Sequence, residues 1–137
     1  MTQHANYTQV ANSYRRSAVT TSPLTGVVML YDGVIAELSR TIAALQQKKL
    51  DQAFGHLNTA TTILRGLCHN LDFARGGALA ERMRDTYVRL ILSALHAFGK
   101  PDAVARLTKI RQAVTTLRDA WTDVRVQQAR AAAAAAK

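Results

Sequence analysis

A single cysteine, Cys68, leaves this chain unable to close an internal disulfide or to build a thiolate metal cluster. A reducing compartment is the matching expectation. Proline occurs twice and glycine seven times in 137 residues, so little interrupts long helices. No apolar run approaches the roughly 20 residues needed to cross a bilayer, and the polar opening MTQHANYTQ lacks a signal-peptide pattern. The expectation is a cytoplasmic protein without stable membrane insertion. Acidic residues are scarce, 9 against 18 Lys and Arg, for a formal charge of +9. That imbalance suits nucleic acid, an anionic membrane or an acidic protein, and does not choose among them.

Catalytic and metal-binding patterns are equally thin. A di-iron site in a helical bundle needs several inward glutamates and Glu-x-x-His pairs. Here the glutamates are Glu37 and Glu81, and the residues three further on are Arg40 and Arg84. His4, His56, His69 and His96 are scattered without ligand spacing. Gly76-Gly77 lacks the Lys-Ser/Thr of a phosphate loop. No metal, no cofactor and no catalytic residue are expected. Nucleic-acid binding is disfavoured because the basic residues are spread, and Asp119 and Asp123 break up the densest basic set, on the last helix.

What the chain does have is helical periodicity. Residues 1–21 are polar and lack a sustained period. They read as a flexible arm or a short extra helix around Tyr7 to Tyr14, with Tyr7, Val10, Tyr14 and Val19 able to dock on a groove. Ser22 then suits an N-cap and Pro23 the first helical position. Leu24, Val27 or Val28, Tyr31, Val34 or Ile35, Leu38, Ile42 and Leu45 follow at steps of three and four. Asp51 is placed to cap a second helix, along which Phe54, Leu57, Thr61, Leu64, Cys68 and Leu71 form one seam. Cys68 reads there as a small hydrophobe. Gly76-Gly77 marks a turn before a third helix carrying Leu79, Met83, Tyr87, Leu90, Ala94 and Phe98. "FGKPD" stops it, and Asp102 favours the positive end of a fourth helix built on Val104, Leu107, Ile110, Val114, Leu117, Trp121 and Val124. The pattern predicts an all-α, antiparallel up-down-up-down four-helix bundle over residues 22–126, with an arm at 1–21 and an alanine-rich tail at 127–137.

The third helix is greasier than one core stripe needs. In YVRLILSAL only Arg89 and Ser93 are polar, and Val88, Ile91, Leu92 and Leu95 widen the apolar face. Plain core, a homodimer surface and a groove for another protein's amphipathic helix all fit this excess.

Three segments add a resemblance. "TTSPLTGVVMLYDGVI", "LRGLCHNLDFARGGALAERMRDTYVRLILSAL" and "VTTLRDAW" resemble, in order and separation, motifs of the FliS family of flagellar export chaperones. Leu30-Tyr31-Asp32-Gly33, Leu71-Asp72, Gly76-Gly77, Tyr87 and Arg118-Asp119-Ala120-Trp121 carry the match. Ala78 departs from the glutamate the family often has after the double glycine.

The resemblance implies a cytoplasmic chaperone without cofactor or reaction, which binds the disordered C-terminal segment of flagellin before type III export. In some members the N-terminal arm covers part of the apolar surface, and other flagellar export or regulatory proteins are partners. A monomer or weak homodimer is expected. With the width of the third helix, it points to a groove formed by the first and third helices, with Tyr31, Val34, Leu38, Tyr87, Val88, Ile91 and Leu95 as flagellin-binding candidates.

Overall fold

The computed structural model describes residues 23–136, which form helices α1 (Pro23–Gln46), α2 (Leu50–His69), α3 (Phe73–Ala97) and α4 (Ala103–Ala135). Ser22 and the arm positions Tyr7, Val10, Tyr14 and Val19 lie outside the described residues. Connections of a few residues force antiparallel neighbours. α1 packs along both α2 and α4, and α3 closes the square against the same two helices, more loosely on the α4 side. The all-α four-helix bundle expected from the sequence is the observed fold.

The turns show why the chain reverses where it does. After α1, the Lys49 N–H donates to the Ala44 carbonyl (2.9 Å) and the Lys48 N–H to that of Leu45 (3.0 Å). These are the paired bonds of a Schellman motif. Lys48 takes the left-handed position, at φ 60°, that glycine fills most easily. Lys49, not Asp51, is therefore the N-cap of α2, and Asp51 sits in its first turn, where its charge favours the helix dipole.

Asp72 caps α3 by accepting the Arg75 N–H at 3.1 Å. The double glycine thus lies inside α3, one turn after its start, and it kinks the helix. Gly77 sits at φ 52°, ψ −126°. A Cβ on Gly76 would come within 2.8 Å of the Ala80 Cβ. Gly99, at φ 86°, ends α3 beyond the Phe98 C-cap. Asp102 precedes α4 as expected, but its carboxylate accepts from Arg106 Nε at 2.8 Å instead of capping a backbone N–H.

The core is one apolar cluster to which all four helices contribute. Its fully buried members include Tyr31, Val34 and Leu38 of α1, Leu57 and Leu64 of α2, and Leu107 and Val114 of α4. Thr41 and Thr61 are buried too, and their hydroxyls donate back to the carbonyls of Glu37 and Asn58. Among the described residues no buried side-chain nitrogen or oxygen lacks a partner, as a well-packed interior requires. α4 buries nothing beyond Val114 completely. Its alanine-rich end nevertheless stays helical to Ala135, leaving a cleft of about 670 Å³ beside Leu24 and Thr25 at the start of α1.

Candidate protein-binding surface

The expected groove residues separate by depth. Tyr31, Val34 and Leu38 are 0% exposed, Tyr87 is 2% and Ile91 9%. These five cannot line an open groove, which corrects that part of the expectation. α1 is flanked by α2 and α4, so its apolar stripe is consumed by packing. Val88 remains outside at 44% exposure, and Leu95 is half-buried against the core.

Beside them stands Leu92, 49% exposed. Val88, Leu92 and Leu95 follow at steps of four and three, so they share one face of α3. The core stripe of Met83, Tyr87, Leu90 and Ala94 occupies another face. α3 is thus apolar on two sides, and the bundle covers one.

At the upper end of this face, Phe98 meets Phe54 of α2 edge to face, with ring centroids 5.6 Å apart. Phe54 is itself 49% exposed, and Leu50 one turn earlier is more so. At the opposite end, Phe73 is exposed beneath the Arg84 guanidinium, 5.7 Å from the ring centroid, a cation–π contact. Leu79 also stays exposed just after the kink.

Behind this surface, the three segments singled out in the sequence converge. The hydroxyls of Tyr31 and Tyr87 share a hydrogen bond that crosses the bundle from α1 to α3. The Trp121 indole of α4 lies close enough to the Tyr31 hydroxyl to act on it. Burial pushes the Tyr31 pKa up, Tyr87 and Trp121 only partly offsetting it. Burial chiefly, and then the neighbouring Tyr31, push that of Tyr87 further. Both tyrosines stay neutral and act as ties between helices. One residue on, Asp32 accepts from Arg118 Nε at 2.8 Å, and Arg118 also reaches Asp119 at 3.2 Å. Asp32 is thus occupied in joining α1 to α4.

The model of the family described as "Flagellar protein FliS" matches residues 6–128 of the chain. The chain belongs to the FliS family. It is similar to the "Flagellar secretion chaperone FliS" of Campylobacter jejuni subsp. jejuni serotype O:6 (strain 81116 / NCTC 11828). The two are 27% identical over 105 residues, which cover 75% of this chain and 80% of that relative.

In this FliS-family bundle the matching segments turn out to be structural. Tyr31, Tyr87 and Trp121 hold three helices together, and Asp32 and Arg118 brace two of them. The exposed stripe is built from neighbouring positions. Leu92 was legible as part of it, since it lies one helical turn from Val88 on the same face. Phe54 was not, because periodicity places it on a seam without saying where the seam runs out of neighbours.

Chemically the surface offers apolar area and positive charge. Among the described residues no group of three or more His, Cys, Asp or Glu is placed to hold a metal ion. Among those residues, too, no helix is long and apolar enough to cross a membrane.

Proposed function

We propose that this chain is a cytoplasmic flagellar export chaperone that holds the disordered C-terminal segment of flagellin, prevents its premature polymerisation and keeps it competent for type III secretion. The observation that carries the reading is the uncovered stripe of Val88, Leu92 and Leu95 on a FliS-family bundle. A disordered amphipathic segment has one apolar side to hide, and a rigid helix face with apolar residues at steps of four and three is its natural complement. Hiding that side supplies the main favourable term. Ordering the segment costs about 2–5 kcal/mol of the gross contact energy. Such a holder performs no reaction: it binds, and it lets go at the export gate.

The test is titration of the full chain with the C-terminal segment of its flagellin, followed by calorimetry and size-exclusion chromatography. A one-to-one complex, with helical signal rising on mixing, supports the reading. Absence of a complex at concentrations well above the micromolar range refutes it. If the chain alone elutes as a dimer that the segment cannot dissociate, the stripe serves self-association and the chaperone reading fails.

A further inference from the structure

The charge around the stripe is distributed in a way that says what kind of segment it accepts. Of the chain's 9 carboxylate side chains, none lies between Gln52 and Leu71 or between Thr86 and Pro101. Those two stretches are nearly all of α2 and the outer half of α3. The acids stand at their four borders: Asp51, Asp72, Asp85 and Asp102. Three are occupied locally, Asp72 with Arg75, Asp85 with Arg84 and Asp102 with Arg106. Inside the borders the formal charges are Arg65, Arg89 and Lys100, all exposed. Among the described residues none of the three forms an ion pair.

Register places two of them on either side of the stripe. Phe54 touches Phe98, and Cys68 acts on Tyr87, which fixes how α2 and α3 run past each other. Arg65 of α2 then stands at about the height of Val88. Arg89, the next residue after Val88, is displaced about 100° around α3, on the flank of the stripe away from α2. The apolar seam therefore has an unpaired guanidinium on each side, and the carboxylate nearest to it, Asp85 one turn before Val88, is held by Arg84 at 3.2 Å. Two such cations repel a cationic segment and attract an acidic one; the flanking charges set choice and association rate more than final affinity.

We infer that the stripe receives an amphipathic helix whose apolar seam is flanked by carboxylates, and that Arg65 and Arg89 are the residues that discriminate for it. This rests on the proposed chaperone reading and adds to it the partner's chemical class.

The experiment compares two synthetic amphipathic peptides with one apolar seam, flanked by Glu in one and by Lys in the other, alongside the flagellin C-terminal segment. Each is titrated into the full chain and into the double variant Arg65→Glu/Arg89→Glu, with circular dichroism verifying that the variant is folded. From exposed pair strengths, the natural chain should prefer the Glu peptide by about 3- to 30-fold at low salt. The preference should shrink in about 0.5 M salt, where the Debye length falls to a few ångströms. The double variant should reverse it.

Equal binding of both peptides by the natural chain, or an unchanged preference in the variant, overturns the inference. If the flagellin segment binds while the peptides show no charge preference, this inference falls and the chaperone reading stands. If none of the three binds, both fall. Binding of the natural chain to vesicles of anionic lipid, lost in the double variant and without peptide preference, would assign the two arginines to a membrane surface and overturn the inference as well.

Discussion

Replacing Val88 and Leu92 together by serine separates a binding surface from a packed one. The two side chains are 44% and 49% exposed, so about half of each is already covered by the bundle. Full burial of a Val or Leu side chain is worth about 1.5–3 kcal/mol. The half still open can therefore contribute about 0.7–1.5 kcal/mol per residue when a partner covers it. For the pair this gives about 1.5–3 kcal/mol, or a 10- to 150-fold loss of affinity for the flagellin segment. Fluorescence anisotropy or calorimetry reads the affinity, and a thermal melt of the free protein reads the fold. Affinity should fall while the melting temperature drops by less than about 10 °C, because losing the covered halves costs the free protein at most about 3 kcal/mol and the serines leave no internal cavity. Two results refute the reasoning. Unchanged affinity means that the stripe is not where the segment lies. A melt that falls by more than about 10 °C, the scale of some 3 kcal/mol in a domain of this size, means that both residues hold the core.

Other outcomes follow from the same structure. Leu38→Ala should do the reverse of the stripe variant: at 0% exposure its truncation leaves a cavity, costs about 3–5 kcal/mol and lowers the melting temperature by 10 °C or more. Lys48→Gly should stabilise: relief of the left-handed backbone is worth about 1–2 kcal/mol, offset by up to about 1 kcal/mol of added unfolded-state entropy, and denaturant melts would read the difference. Tyr31 and Tyr87 both have raised folded-state pKa values. Their contribution is complete below the unfolded-state tyrosine value near 10 and is lost as pH rises above it, because only the unfolded chain ionises there. Stability measured between about pH 9 and 12 should fall steeply, and the Tyr31→Phe/Tyr87→Phe double variant should lose part of that slope. A double variant with the full natural slope would place the alkaline transition elsewhere.

The sequence carried angle well and depth poorly. Steps of three and four placed Tyr31, Val34 and Leu38 on one face of α1, and the same steps placed Val88, Leu92 and Leu95 on one face of α3. Nothing in the period tells how many neighbours cover each face. α1 has two along its length, so its stripe disappears inside; α3 has the same two on one side only. Height along the bundle was equally invisible. Leu79 lies on the apolar face of α3 and yet stands exposed, because it follows the Gly77 kink near the end of the bundle. Local chemistry was legible where backbone geometry decided it, as at Gly99. It misled at the double glycine, where a kink and a turn ask for the same residue, and at Asp51, where Lys48 takes the left-handed position unaided by glycine. The resemblance located the three segments that meet at Tyr31, but could not reveal that their meeting is an internal tie.

Cys68 gives the bundle a built-in reporter. The sole thiol of the chain is half-buried on α2, packed against the core and close enough to Tyr87 to influence it. An alkylating reagent therefore gains full access only when the seam between α2 and α3 loosens. The rate of that labelling, followed without any engineered tag, clocks how often the helix bearing the stripe lifts from its neighbour, with and without cargo aboard.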